Sequence, residues 1–235
     1  MGFFQDALAV FKKREITFME SYKETENVYS FLFEKENDFT WKAGQYCLFD
    51  ITHKKIKNPT RPFSVASAPS EGVIRITTKI GENPSEYKKA LLDLEKGMKI
   101  RVSGSVGPFY LEGNSPALLV AGGMGITPFR AMLKQLEADG GRSGRKINLL
   151  YMDSQKPYLF KNELDEIANK SLITIKYLES RDDLHKEIDT FIDDNKEDGN
   201  YYIAGPKSMV TSIYSYIGNK NIHKRNIKKD VFDGY

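Results

Sequence analysis

The sequence has 235 residues, enough for two domains that each close a hydrophobic core. Hydrophobic residues make up 40% and charged residues 29%, and no apolar run approaches the ~18 residues of a membrane span, which is the composition of a soluble globular protein without membrane insertion. The net charge of +3 is too small to argue for nucleic acid, and the single cysteine, Cys47, excludes an internal disulfide and a cysteine-ligated iron–sulfur cluster or zinc site within one chain.

Residues 1–14 carry Phe3, Phe4, Leu8 and Val10, interrupted by Asp6 and followed by Lys12, Lys13 and Arg14. A secretory signal has the opposite order of charge and apolar core, so this stretch reads as a short amphipathic lead-in helix of a cytoplasmic protein. Strands are expected over 15–21, 27–34, 45–51, 73–80 and 98–104, from β-branched and aromatic enrichment between turn residues. One amphipathic segment, 86–94, interrupts them. Short strands with a single helix point to a small antiparallel barrel over 15–112.

From Pro116 the pattern changes to alternating strand and helix over 116–235. The apolar strand 117–121 is followed by Phe129, Met132, Leu133 and Leu136, one face of a helix. Strand 147–152 precedes a helix with Phe160, Leu164 and Ile167 on one side. Strand 172–178, a helix with Ile188, Phe191 and Ile192, strand 201–204, and a helix with Met209, Ile213, Tyr216 and Ile217 continue the alternation. Such units build a parallel sheet with helices on both faces, so the expected fold is a β-barrel domain followed by an α/β domain.

Between the strand at 117–121 and its helix lies Gly122-Gly123-Met124-Gly125-Ile126-Thr127-Pro128. Glycines admit close backbone approach, Thr127 is a competent N-cap, and Pro128 suits the first helical position. Bare N–H groups at the carboxyl end of a parallel strand form an anion site, whose default ligand is a pyrophosphate. The histidines His53, His185 and His223 show no metal-ligand spacing. Redox chemistry in this chain would therefore be carried by an organic cofactor. The basic clusters at 53–57 and 220–229 read as solvated faces.

Five strings occur in one order: Arg61-Pro62-Phe63-Ser64 with Ser67, then Gly97–Gly104 with Gly107-Pro108-Phe109, then Gly122–Pro128, then Tyr201-Tyr202-Ile203-Ala204-Gly205-Pro206 with Met209, then Phe232-Asp233-Gly234-Tyr235. As a set they resemble the ferredoxin–NADP reductase family across about residues 15–235. The resemblance implies that 15–112 is a flavin-binding barrel, that 116–235 binds a nicotinamide dinucleotide, and that hydride passes from NADH or NADPH to FAD rather than FMN. Electrons would then go to a separate acceptor: ferredoxin, flavodoxin, a haem protein, a small molecule or, more generally, an acidic electron carrier.

Arg61 would hold flavin phosphate through its planar fork, with Pro62 beside it. Phe63 would lie against the flavin where the family usually has tyrosine, and Ser64 would reach flavin N5 as the one residue with a chemical role. Thr78, Lys79, Ile80 and Gly81, with Ser85, resemble the second flavin phosphate and adenine region. Gly122, Gly123, Met124 and Thr127 would cradle the dinucleotide, while Gly205, Pro206 and Met209 would shape the nicotinamide pocket. Tyr235 would either stack on the flavin or fill the domain interface. Two departures bear on function. Ala204 replaces a cysteine that often lies near nicotinamide C4, which leaves room for a rival reading as a flavin-binding relay or regulatory module with a decayed dinucleotide site. Asp153 would accept from ribose hydroxyls and favour NAD, with Ser154 where NADP-preferring relatives carry arginine; Lys156 and Arg181 pull the other way.

Overall fold

The computed structural model describes residues 9–140, 144–154, 158–195 and 198–232. Residues 1–8, Lys156, Asp233, Gly234 and Tyr235 therefore lie outside the described residues. The chain divides into two units between Tyr110 and Leu111. Among the described residues no helix is long and apolar enough to cross a membrane.

The first unit is a six-stranded antiparallel sheet in the order β4-β3-β6-β1-β2-β5. Its strands are β1 (Arg14–Thr25), β2 (Val28–Glu34), β3 (Tyr46–Asp50), β4 (Thr60–Ser64), β5 (Val73–Lys79) and β6 (Lys99–Val102). Period-2 alternation turns Phe31 and Phe33 of β2, Ile74 and Ile76 of β5, and Ile100 and Val102 of β6 into one core with Phe49. The sheet's two edges come back together beyond β4. There the Ala66 N–H donates to the Arg75 carbonyl (2.8 Å), and Ser67 Oγ donates to the Val73 carbonyl (2.7 Å) while accepting from the Arg75 N–H (2.9 Å). Helix α1 (Glu86–Leu92) plugs the barrel with Tyr87, Ala90 and Leu91, and the Tyr87 hydroxyl reaches the Phe49 carbonyl.

Strand β4 carries the Arg-Pro-Phe-Ser string and was not expected as a strand, because Pro59 and Pro62 argue against one. Proline is tolerated here because β4 lies at the end of the strand order, where one side of its backbone needs no ladder partner. Of the lead-in helix, residues 9–11 are helical, Lys12 and Lys13 are not, and Arg14 already belongs to β1. This turn is anchored by the Ala9 carbonyl, which accepts from Gly104 N–H at 2.9 Å.

The second unit is a five-stranded parallel sheet in the order β11-β10-β7-β8-β9. Its elements are β7 (Ala117–Gly122), α2 (Ile126–Ala138), β8 (Ile147–Met152), α3 (Lys161–Asn169), β9 (Ile173–Leu178), α4 (Arg181–Asn195), β10 (Asn200–Pro206), α5 (Lys207–Gly218) and β11 (Ile227–Phe232). Every residue of β7 is buried, as a central strand covered on both faces requires. One face carries Leu118, Val120 and Leu150 against Leu184, Ile188 and Phe191 of α4 and Val210, Ile213 and Ile217 of α5.

On α2, the guanidinium of Arg130 is almost fully buried and forks onto Glu163 of α3, Nε to Oε2 at 2.8 Å and Nη2 to Oε1 at 2.5 Å. Two charge-assisted bonds in one plane fix the two helices in register. Phe160, expected within the helix, instead precedes it in a left-handed conformation (φ 61°), with Arg130 over its ring. Strand β11 was hidden in the sequence by Lys228, Lys229 and Asp230, which an edge strand carries without penalty. Lys228 pairs with Glu112 at 2.6 Å and Lys229 lies over Tyr214.

Cys47 lies in β3 with no exposed surface, and burial pushes its thiol up to about 12. The folded protein is therefore expected to resist thiol alkylation at pH 8 and to react fully once unfolded in denaturant, as mass spectrometry would register; rapid alkylation of folded protein would contradict this core packing.

Candidate functional site

In the first unit, β4, the end of β5 and the start of α1 converge. Alternation along β4 puts Arg61 and Phe63 on one face and Pro62 and Ser64 on the other. The Phe63 ring stacks on Tyr87 of α1 at 5.8 Å and meets Phe49 edge-on at 5.9 Å, so one side of it is committed to the core while the residue stays partly exposed. Arg61 lies over the same Tyr87 ring at 5.8 Å and donates from Nη1 to the Thr60 carbonyl. Pro62 is exposed and Ser64 is buried.

At the end of β5 the predicted residues separate by role. Ile80 belongs to the core, and its N–H is spent on the Asn27 carbonyl at 2.7 Å. Thr78 is buried and its Oγ1 has no hydrogen-bond partner. Burial pushes the Lys88 ammonium down, and the neighbouring charge of Lys79 adds to this. Gly81 and Ser85 are exposed, with Ser85 Oγ capping α1 by accepting from Lys88 N–H. The charges of Lys79 and Lys88, the orphan Thr78 hydroxyl and the Arg61 guanidinium suit a phosphorylated ligand, so these residues fit the flavin pyrophosphate.

In the second unit the glycines divide into two kinds. A Cβ at Gly125 would fall inside the Ala204 carbonyl and only 2.7 Å from Gly205 N. One at Gly205 (φ 152°) would lie 3.0 Å from the Gly122 carbonyl oxygen, and one at Gly122 would collide with the Met209 sulfur. These three glycines let the end of β10 lie against the loop after β7. Gly123 differs: its φ is 51° and a Cβ there would meet nothing within 4 Å. It is the glycine with room for a ligand. Thr127, expected as the N-cap, is inside α2, which begins at Ile126; it is 2% exposed, and its hydroxyl donates to the Met124 carbonyl at 3.0 Å. Pro128 consequently stands in the first turn rather than at its first position, still where no intrahelical N–H is needed.

Gly122 and Gly123 open onto a cavity of about 520 Å³ at the carboxyl ends of β7, β8, β9 and β10, the place where parallel sheets bind ligands. It gathers the predicted Asp153, Pro206 and Met209 together with Ser154, Glu179, Arg181, His185, Ser208 and Ser212. Its rim thus carries carboxylates at Asp153 and Glu179 and a guanidinium at Arg181. The buried Tyr151 of β8 donates its hydroxyl to Oδ2 of Asp153, which follows the strand, at 3.4 Å. Of the cavity residues, Glu179, His185, Ser208 and Ser212 were missed. The rule that ligands sit at strand carboxyl ends would have found Glu179, and the first turn after β10 would have given Ser208; His185 and Ser212 lie a turn further on.

A closed antiparallel barrel followed by a parallel α/β unit with a glycine loop is the architecture of a flavin- and dinucleotide-binding oxidoreductase. The family models agree. Residues 10–110 match "FAD-binding domain" and residues 119–214 match "Oxidoreductase NAD-binding domain". Flavohemoprotein A of Dictyostelium discoideum is 25% identical, over 93% of this chain and 60% of its own length. The toluate 1,2-dioxygenase electron transfer component of Pseudomonas putida is 26% identical, over 83% of this chain and 60% of its own. The chain spans about 60% of the length of these curated relatives. The ferredoxin–NADP+ reductase of Plasmodium falciparum has the same fold, with a TM-score of 0.79 at 20% identity over 94% of this chain and 96% of that one. The chain belongs to the ferredoxin–NADP reductase-like family, and its cofactors are FAD and a nicotinamide dinucleotide.

The two kinds of glycine should separate by mutation. Gly125→Ala is expected to lower unfolding stability by more than about 2 kcal/mol, because it forces backbone apart. Gly123→Ala should cost about 1 kcal/mol for its left-handed φ yet weaken dinucleotide binding more than Gly125→Ser or Gly125→Ala does in protein that remains folded. Denaturant melts and dinucleotide titration of the three variants check this; equal stability losses for Gly123→Ala and Gly125→Ala would contradict the assignment.

Proposed function

We propose that this protein is a reductase that takes hydride from a reduced nicotinamide dinucleotide onto FAD and passes electrons to a separate acceptor. The observation that carries this reading is the open Gly123 loop on a cavity at the carboxyl end of the parallel sheet, in a chain that also has a flavin-type barrel. The rival reading, a relay with a decayed dinucleotide site, rests on Ala204 alone. It is opposed by that loop and cavity.

In this proposal Arg61, Thr78, Lys79 and Ser85 hold the flavin phosphates, with Lys88 beside them and Pro62, Ile80 and Gly81 shaping the backbone. Phe63 supports the flavin from its exposed edge, and Ser64 Oγ makes a hydrogen bond at flavin N5. Gly122, Gly123 and Met124 receive the pyrophosphate, Thr127 braces that loop through the Met124 carbonyl, and Gly205, Pro206 and Met209 bound the nicotinamide end. Bound FAD supplies the hydride acceptor and the ability to release electrons singly. The protein's part is alignment, since hydride transfer needs nicotinamide C4 within about 3–3.5 Å of flavin N5. Ala204 leaves space for the nicotinamide ring.

The acceptor is a redox partner such as a ferredoxin, a flavodoxin, a haem protein or an oxygenase component, in keeping with the flavohemoprotein and dioxygenase component among its relatives. An acidic carrier would be drawn by His53, Lys55 and Lys57 and by Lys224 and Arg225, all exposed. The proposed location is the cytoplasm.

Purified protein should be yellow, release FAD on denaturation, and bleach when NADH or NADPH is added without oxygen; absorbance unchanged by both donors would refute the enzyme reading. Donor choice should respond to the rim charges in opposite directions. Asp153→Asn is expected to raise kcat/KM for NADPH relative to NADH by about tenfold, and Arg181→Ala to lower it similarly, because each changes one charge beside the ribose 2′ position. Steady-state kinetics with both donors measure the ratio, and a ratio indifferent to both substitutions would contradict the placement of the ribose at this rim.

A further inference from the structure

Residues 9–11 form a single helical turn that is braced against the first unit. The Ala9 carbonyl accepts from Gly104 N–H at 2.9 Å and from Lys12 N–H at 3.2 Å. Gly104 admits this approach, since a Cβ there would stand 3.0 Å from the Ala9 Cβ and 3.1 Å from its carbonyl oxygen. Lys13 reaches across to Asp50 at the end of β3, Nζ to Oδ2 at 3.0 Å. On this held turn Phe11 points away from the fold. The residue is 84% exposed, more than any other large apolar residue among those described. An exposed phenyl ring forgoes the stabilisation that burial gives, and here it does so on a fixed support.

The surroundings of Phe11 are basic. Lys12 follows it and is exposed. The pairing of β1 with β6 sets Glu15 opposite Arg101 and Thr17 opposite Lys99, and Asp50 of β3 lies opposite Arg101 from the other side. Thr52 Oγ1 donates to the Lys99 carbonyl at 3.0 Å, which brings the segment carrying Lys54, Lys55 and Lys57 alongside. The acids of this side are matched: Glu15 by Lys99 at 3.4 Å, Asp50 by Lys13 at 3.0 Å and Asp93 by Lys54 at 2.7 Å. Glu86 accepts from Lys57 N–H at 3.3 Å. With Glu86 set against one of them, Lys12, Arg101, Lys55 and Lys57 leave the side positive.

A single projecting ring among cations suits a membrane surface. The headgroup layer takes up an aromatic ring without a matching pocket, and anionic lipid attracts lysine and arginine through its surface potential. A protein interface instead needs roughly 800 Å² a side around an apolar core. Phe11 is followed by charged residues, not by such a core. The sequence ahead of the turn is apolar in the same sense, with Phe3, Phe4 and Leu8.

We propose that Phe11, with Lys12, Lys13 and Arg101 around it, is a docking face for an anionic lipid bilayer. The ring enters the headgroup layer and the cations lie over the lipid phosphates, while Lys55 and Lys57 add to the attracting field from the side. The contact is peripheral and reversible, because one ring and a few charges adsorb weakly.

The test sediments FAD-loaded protein with vesicles of phosphatidylcholine alone or mixed with phosphatidylglycerol, at low and high salt. The protein is expected to follow the mixed vesicles only and to be released by salt. Phe11→Ser should weaken binding about tenfold, the worth of partly burying one ring, with melting temperature and flavin content unchanged. Lys12→Glu combined with Arg101→Glu should abolish it. Phe11→Trp should keep binding and shift its emission to shorter wavelength on mixed vesicles, a change that the buried Trp41 does not give. Failure to sediment with mixed vesicles would overturn the proposal, as would Phe11→Trp emission that vesicles leave unchanged. Binding that Phe11→Ser leaves intact would also overturn it, by reducing the face to the plain charge attraction that an acidic protein would meet.

Discussion

The second unit depends on a place where two backbones touch. The end of β10 lies against the loop after β7 because Gly122, Gly125 and Gly205 have no Cβ to keep them apart. That approach closes one side of the sheet's carboxyl end and directs the loop's remaining free glycine, Gly123, toward open space. Gly122 and Gly123, just before the start of α2, then border the cavity, a place that suits a phosphate group. The Arg130–Glu163 fork supports the same region from the other face, fixing α2 against α3 so that the helix start does not drift.

The first unit solves a related problem with side chains instead of glycines. Its closed antiparallel sheet buries the aromatic core formed by Phe31, Phe33 and Phe49, and Tyr87 links that core to β4 by stacking under Phe63 and Arg61. The strand that carries the Arg-Pro-Phe-Ser string is thereby tied to the helix whose N-terminal half carries Lys88. Burial, and after it the charge of Lys79, disfavours the Lys88 ammonium, and an anion bound beside it would offset both. Cofactor binding and stability of this unit are linked in the same sense, since whatever binds only the folded form stabilises it.

The order and type of most elements could be read from apolar periodicity, because buried faces impose period 2 or 3.6 on a sequence directly. What escaped were the elements whose pattern is set by position in the sheet. Strand β4 has prolines and β11 has lysines, and both are tolerated only because these strands lie at edges, a fact of topology. The glycine loop was located correctly, yet its glycines were all read as making room for a ligand. Gly122 and Gly125 also make room for Met209 and for the β10 backbone, partners about 80 residues away in sequence. Thr127 and Phe160 misled for a local reason, as both are plausible at a helix start and the observed starts differ by one or two residues.

The proposed reaction moves the donor's C4 hydrogen directly to the flavin, with the protein supplying the alignment. The most direct measurement is the rate of anaerobic flavin bleaching with donor deuterated at one or the other of the two C4 positions, followed by stopped-flow absorbance. An aligned site predicts slowing by deuterium at one C4 position and almost none at the other. Equal rates with both labels, or bleaching that needs an added mediator, would contradict it.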